Sequence, residues 1–142
     1  MQVANWGEMT SLAAKMRGAS GVIIDGAVTD VAEIRQQGLP TFARAISARV
    51  GRRLGLAGGA VNVPVDCGGV PVRPGDLVVA DDNGIVVMSP QRAEEIYSAA
   101  RKEEDRAPFI RRWLLQGGSL ADLAGKDAGA IVALLRERGW LD

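Results

Sequence analysis

The residues best suited to chemistry lie between positions 21 and 33, which read GVIIDGAVTDVAE. An apolar, strand-like run over 22–24 ends at Asp25, and Asp30 and Glu33 follow at the start of an amphipathic segment. Proteins of the α/β class bind ligands at the C-terminal ends of their strands, so these carboxylates are candidates for a site. Because the chain contains no histidine, acid–base or metal chemistry must use Asp and Glu. Carboxylate oxygens favour Mg²⁺, Mn²⁺ or Ca²⁺ over zinc.

Two interpretations are open for each of these acids. Asp30 and Glu33 have the spacing of a capping box, in which Asp30 accepts hydrogen bonds from its own helix and Glu33 reaches back. Asp30 could equally hold a metal or a metal-bound water, and both roles are compatible because helix N-termini also bind anions. Glu8 is either a solvated first-turn acid, favoured by the helix dipole, or a site residue. In the second case Gly7, Glu8 and Met9 form a backbone N–H pocket for a carboxylate.

Two further motifs favour structural roles. The glycine-rich stretch over 51–59 lacks the G-x-x-x-x-G-K-[ST] order of a phosphate-binding loop, so a flexible connector or subunit contact is favoured. Cys67 has no histidine to activate it, which favours a buried small residue over a nucleophile. The three tryptophans are interpreted as packing or interface anchors. A single cysteine cannot form an internal disulfide, which fits a reducing cytoplasm.

Composition limits the classes of function. A chain of 142 residues is about one domain, and 47% hydrophobic and 24% charged residues are typical of a globular protein. The 17 basic and 17 acidic residues cancel, which argues against nucleic acid or a membrane surface as the partner. No apolar run approaches the ~18 residues of a membrane span. The N-terminus lacks a signal-peptide pattern, so we expect a cytoplasmic protein.

The pattern of apolar residues predicts an alternation of helices and strands. The predicted helices cover 6–17, 30–37, 90–104 with a break near 108, 111–116, 119–122 and 127–138; the predicted strands cover 20–25, 41–46, 60–65, 68–72, 77–80 and 85–88. A β-rich middle between helical ends predicts an α/β sandwich with helices packed over a mixed sheet. Beyond Gly117 and Gly118 a helical tail follows, with too little apolar surface to form a domain by itself.

Three strings carry a family resemblance: GVIIDGAVTDVAEI, LPTFARAISAR and VNVPVDCGGVPVRPGDLVVADDNGIVVMS. Together they resemble the RraA-like family, which includes the class II 4-hydroxy-4-methyl-2-oxoglutarate / 4-carboxy-4-hydroxy-2-oxoadipate aldolases, over roughly residues 5–105. The resemblance implies an α-β-β-α sandwich of the swivelling-domain type. It implies a core over 1–106 that lacks the family's usual leading segment. A helical tail over 107–142 would then pack on the core or on a neighbouring subunit.

The resemblance also implies chemistry. Family aldolases use Mg²⁺ or Mn²⁺ and an arginine to grip the pyruvyl end of a 4-hydroxy-2-oxo dicarboxylic acid, cleave it to pyruvate, and can decarboxylate oxaloacetate. By position, Asp30 matches the metal-associated aspartate, Glu33 the final acid of the same motif, and Glu8 the acid that orients water at the metal. The amides of Gly7 to Met9 match those that hold the pyruvyl group. The family forms homotrimers or hexamers with sites between subunits, and Asp105, or Glu104, weakly matches an acid lent by the neighbour.

Two departures from the family pattern have consequences. The motif arginine is Thr29 here, and losing such a charge typically costs ~10²–10³ in rate. Either Arg44, the nearest candidate by sequence, replaces it, or the substrate differs, or activity is weak. The missing leading segment would make the core depend more on oligomer contacts. A non-catalytic alternative, a protein-binding regulator of ribonuclease E like other RraA members, therefore stays open.

Overall fold

The computed structural model describes residues 3–51 and 58–142, and it divides the chain into two compact units. The N-terminal unit is Met1–Pro74 and the C-terminal unit is Gly75–Asp142. Residues 52–57 of the glycine-rich stretch at 51–59, for which a flexible connector or subunit contact was predicted, lie outside the described residues. Within the described part, none of the helices combines the length and the apolar character needed to cross a membrane.

The N-terminal unit alternates strands and helices. Its elements are β1 (Ala4–Trp6), α1 (Glu8–Met16), β2 (Val22–Val28), α2 (Val31–Gln37), β3 (Thr41–Ile46), β4 (Val65–Cys67) and β5 (Val70–Val72). The first three strands form a parallel sheet in the order β1-β2-β3, and β4 and β5 form an antiparallel hairpin. Parallel neighbours need a crossover connection, which α1 and α2 provide. The C-terminal ends of β1 and β2 therefore lie side by side.

A β-bulge interrupts β2 at Asp25 and Gly26. Between two paired positions, β2 advances from Ile24 to Ala27 while β3 advances only from Ala43 to Ala45. The extra residue bends the strand and redirects its side chains. Asp25 consequently reaches across the sheet surface, where it meets Arg44 and the turn of the β4–β5 hairpin.

The C-terminal unit combines one hairpin with helices. Its elements are β6 (Leu77–Asp81), β7 (Gly84–Met88), a 3₁₀ turn (Pro90–Arg92), α3 (Ala93–Leu115), a second 3₁₀ turn (Leu120–Leu123) and α4 (Ala128–Glu137). Asp81 Oδ1 accepts a hydrogen bond from Asn83 N at 2.7 Å, which stabilises the tight turn between β6 and β7. The predicted break in α3 is wrong, because the helix continues through Pro108. Pro108 is exposed, so water can hydrate the carbonyl that the proline leaves unpaired.

A cluster of buried side chains joins the C-terminal half of α3 to the residues that follow it. Its centre consists of Trp113, Leu123, Ile131 and Leu135, with Phe109, Ile110, Leu134, Trp140 and Leu141 packed around it. Trp113, Phe109 and Ile110 come from α3, before Gly117, so the cluster joins residues on both sides of the two glycines. α3 runs through position 106, and the division between the compact units falls after Pro74. The predicted bounds of core and tail stay a prediction. Packing of the tail on a neighbouring subunit stays a prediction.

The predicted strand over 60–65 is wrong for most of its length. Residues 61–63 form bends, Val61 is 87% exposed, and the strand begins only at Val65. Pro64 has no N–H to donate to a neighbouring strand, so alternation of apolar residues there does not produce pairing. The other predicted helices and strands occur within a few residues of their predicted positions.

Candidate functional site

The candidate site lies at the C-terminal edge of the parallel sheet, where two crossover helices begin. Trp6 is paired with Val28 at the ends of β1 and β2, and Thr29 N donates to Trp6 O at 2.9 Å. Residues 7–8 and 29–30 therefore leave the sheet next to each other. Sequence positions about 22 residues apart meet at the N-termini of α1 and α2.

Asp30 has an unusual backbone conformation that determines where its carboxylate lies. Its φ of 56° and ψ of 43° are left-handed, a region that Asp adopts more readily than most residues but still at a cost of about 1 kcal/mol. Its Oδ2 accepts the Glu8 N–H at 3.0 Å, and its Oδ1 accepts the Thr29 hydroxyl at 3.2 Å. The carboxylate thus connects the two helix N-termini and stays exposed to solvent.

The capping-box interpretation of Asp30 and Glu33 is wrong. Asp30 makes no side-chain hydrogen bond to the N-terminus of α2. The left-handed backbone directs its carboxylate toward α1 rather than over the first turn of its own helix. Glu33 is exposed in that first turn and has no hydrogen bond or ion pair with the described residues. Its assignment as a site acid remains a prediction.

Gly7 is required at its position because the side chains of Asp30 and Thr29 lie close to it. Its backbone is extended, a conformation that any residue can adopt. A Cβ built there would lie 2.5 Å from Asp30 Oδ2 and 3.0 Å from Thr29 Cγ2. Both distances are too short for any larger residue unless Asp30 moves. The absence of a side chain at Gly7 therefore allows the Asp30 carboxylate to lie against the N-terminus of α1.

The amides at the N-terminus of α1 are only partly available. Gly7 N donates to Thr10 Oγ1 at 2.9 Å, and Glu8 N donates to Asp30. The Met9 and Thr10 amides have no acceptor in the described chain, and free first-turn amides are where helices bind anions. Of the three amides predicted to hold a pyruvyl group, only the Met9 N–H is therefore available in this conformation. The Thr10 N–H, which was not predicted, follows it in the same turn.

Three residues that sequence reasoning did not assign to the site hold this turn in place. The Trp6 indole N–H donates to Ser11 Oγ at 2.6 Å, and Ser11 is completely buried. The Thr10 hydroxyl also donates to Gly7 O at 2.8 Å. The one sequence feature that could have indicated this turn is Thr10, which follows Gly7 at the spacing of a capping box.

Arg44 does not take the place of the missing motif arginine. Its guanidinium pairs with Asp25, whose other oxygen accepts the Gly68 N–H at 2.9 Å. The Gly68 N–H and then the Arg44 guanidinium lower the pKa of Asp25, and Asp25 in turn raises the pKa of Arg44. The cluster fastens the β4–β5 turn to the parallel sheet. Asp105, in the C-terminal unit, pairs with Arg101 at 3.1 Å, and its role in a neighbouring subunit's site stays a prediction.

The donor set suits a hydrated, oxygen-preferring cation. Among residues 3–51 and 58–142, no three or more His, Cys, Asp or Glu side chains cluster at metal-binding distances. Structural zinc needs four such side chains close together. Mg²⁺ commonly keeps several waters and binds one or two carboxylates together with substrate oxygens, which an exposed Asp30 can satisfy.

Comparison with known proteins agrees with this architecture. The family model described as RraA-like, Aldolase/RraA, matches residues 1–87. Uncharacterized protein MJ0644 of Methanocaldococcus jannaschii is 40% identical over 122 residues, which are 86% of this chain and 58% of the relative. A putative 4-hydroxy-4-methyl-2-oxoglutarate aldolase of Halalkalibacterium halodurans is 36% identical over 91 residues, 64% of this chain and 42% of the relative.

A solved structure confirms the α/β fold class. The crystal structure of Streptomyces coelicolor RraAS2, described as an unusual member of the RNase ES inhibitor RraA protein family, matches with a TM-score of 0.67 at 34% identity. The match covers 78% of this chain and 56% of that one. The chain spans about half the length of the curated relatives it matches.

Proposed function

The chain belongs to the RraA-like family, and from that membership we propose that it is a divalent-metal-dependent lyase. The substrates would be 4-hydroxy-2-oxo dicarboxylic acids, cleaved to pyruvate, and oxaloacetate, which would be decarboxylated. Relatives named as putative aldolases support the lyase class. The observation that carries the proposal is the Asp30 carboxylate, which a left-handed backbone directs away from its own helix and toward the N-terminus of α1.

Asp30 would hold the Mg²⁺ or Mn²⁺ ion, with water and substrate oxygens as the remaining ligands. When bound, the ion would supply positive charge beside the 2-oxo and carboxylate oxygens of the substrate. Asp30 keeps lone pairs for this role, because each of its oxygens accepts one described hydrogen bond. Those two bonds fix the orientation of the carboxylate before any ligand arrives.

The N-terminus of α1 would bind the substrate carboxylate. The Met9 and Thr10 amides donate no hydrogen bond within the described chain, and the helix dipole adds partial positive charge at this end of the helix. Glu8 is the first residue of the same helix, so its carboxyl group would orient a water molecule or transfer a proton beside the bound substrate. Glu33 would contribute negative charge from the first turn of α2.

Thr29 limits the rate that this site would reach. It donates one hydrogen bond to Asp30 but supplies no positive charge, and Arg44 is held by Asp25. We expect Thr29→Arg to raise oxaloacetate decarboxylation by about 10²–10³, the typical value of a charged group at this kind of position. The variant should still bind Mn²⁺, as measured by electron paramagnetic resonance. A variant that binds Mn²⁺ without any gain would mean that the site is not built for pyruvyl chemistry.

The direct test is an oxaloacetate assay with Mg²⁺, with Mn²⁺ and with chelator. Asp30→Asn is the most informative variant, because Asn tolerates the left-handed backbone and can still accept a hydrogen bond. It should lose metal binding and about 10²-fold in rate, while Glu137→Gln, an exposed acid in α4, should behave as wild type. Rates that do not depend on metal, or on Asp30, would refute the lyase proposal.

Thr29 and the similarity to RraAS2 favour a second candidate, a protein-binding regulator of ribonuclease E. A regulator acts through its surface and needs no charged group at position 29. Addition of the protein to a ribonuclease E cleavage assay tests this candidate. Inhibition that survives Asp30→Asn would support it, and full cleavage at saturating protein would exclude it.

A further inference from the structure

An open cleft of about 670 Å³ lies between α2 and β3 in the N-terminal unit. Val31 and Ile34 of α2 and Leu39, just beyond its end, form an apolar wall, in which Ile34 and Leu39 are buried. Its other side is formed by residues 43–46 of β3. None of Gly7, Glu8 or Asp30 lines it, so it is distinct from the candidate active site.

The cleft follows the edge of a strand. Successive side chains of a strand point to opposite faces of the sheet, so a cleft lined by four consecutive residues of β3 reaches the edge of that strand, and Val28 of β2 lines it as well. β3 is the outer strand of its sheet, and among the described strands it pairs with β2 alone. It contains no proline or lysine, which often protect such edges, and Ile46 is 70% exposed.

The cleft also carries one unneutralised positive charge. Arg35 lines it from α2; its carbonyl accepts the Gly38 N–H, but its guanidinium makes no hydrogen bond or ion pair with the described residues. The second arginine of the cleft, Arg44, is neutralised by Asp25. One guanidinium beside an apolar wall complements an acidic residue with apolar neighbours. It does not suit RNA, for which affinity grows with the number of phosphates neutralised.

We propose that this cleft binds an extended segment of a partner protein, which adds a strand to the free edge of β3 and places an acidic side chain against Arg35. Strand addition of this kind draws affinity from backbone hydrogen bonds and specificity from alternate side chains. Alternate apolar residues of the segment would enter the cleft over Ile34 and Leu39. The proposal does not depend on lyase activity, so Asp30→Asn should bind the segment as wild type does.

A pair of labelled peptides tests the proposal on the full chain. Each has eight residues with alternating valine and threonine, and one carries a central glutamate where the other carries lysine. By fluorescence anisotropy, the glutamate peptide should bind at least threefold more tightly, the scale expected for an exposed ion pair. In heteronuclear NMR, the amides of residues 41–46 should shift on binding. Arg35→Glu should reverse the preference between the two peptides.

Two variants separate the cleft from other surfaces. Ala43→Trp places a large side chain in the cleft from an exposed position and should reduce binding at least tenfold. Arg17→Glu changes an exposed arginine at the end of α1, outside the cleft, and should leave binding unchanged. Equal binding of both peptides, or shifts confined to other residues, would overturn the proposal. Self-association that Arg35→Glu abolishes, without peptide binding, would show that a second copy occupies the cleft and would also overturn it.

Discussion

The contact between Gly7 and Asp30 makes Gly7→Ala the sharpest test of the site. The new Cβ would lie 2.5 Å from Asp30 Oδ2, so the carboxylate must leave the Glu8 N–H. A hydrogen bond to a charged group is worth about 1.5–3 kcal/mol, and solvent around the exposed Asp30 reduces this to about 1 kcal/mol of stability. The effect on chemistry is larger, because a displacement of about 1 Å can cost 10²-fold in rate, or roughly 2.7 kcal/mol.

The assay compares Gly7→Ala with Gly26→Ala, a substitution in β2 where the new Cβ meets Ile24 only at 3.7 Å. Unfolding in urea, Mn²⁺ affinity by electron paramagnetic resonance and oxaloacetate decarboxylation are measured on both. Gly7→Ala should lose Mn²⁺ affinity and decarboxylation rate while losing little stability. Gly26→Ala should keep the wild-type Mn²⁺ affinity and rate. If the two variants bind Mn²⁺ equally well, Asp30 is not held in place by the space at Gly7.

Two further predictions concern the parts of the chain that support the site and the tail. Gly118→Ala would place a Cβ 2.1 Å from Trp113 Nε1, so we expect a loss of about 1–3 kcal/mol in urea unfolding followed by tryptophan fluorescence; unchanged stability would contradict the packing described for the tail. Asp25→Asn should destabilise the chain above about pH 4, where the wild-type carboxylate is ionised, and the difference should vanish as the pH falls through the lowered pKa of Asp25. Urea unfolding at several pH values measures this, and a difference that persists in strong acid would refute the role of the ionised carboxylate.

Periodicity predicted most elements because it depends on local sequence alone. Apolar residues at 9, 12, 13 and 16 predict α1 correctly. The same pattern does not reveal which side of the helix packs: Met9 is 66% and Met16 77% exposed, whereas Ser11 is buried. The buried side is set by the Trp6 indole, which needs an acceptor at position 11. That requirement arises from the three-dimensional contact and has no periodic signature.

The grouping of site residues could be predicted only through family resemblance, and their geometry could not be predicted at all. Local rules gave a capping box as one of two interpretations of Asp30, because Asp followed by Glu three residues later often caps a helix. The left-handed backbone reverses this outcome by turning the carboxylate toward Glu8. Gly7 makes room for it, a requirement that depends on a residue 23 positions away.

Thr29 links the two functional candidates physically. In this structure the Thr29 hydroxyl donates to Asp30 Oδ1, so neutral donors hold both oxygens of the carboxylate. An arginine at position 29 would add positive charge beside the carboxylate and a donor for substrate. Without it, affinity for a dicarboxylate depends on the bound cation and on the Met9 and Thr10 amides, because the Arg44 charge is already neutralised by Asp25. On the proposed function, the loss of the arginine would therefore weaken binding of the doubly charged acid more than binding of the cation, so metal affinity and turnover must be measured separately.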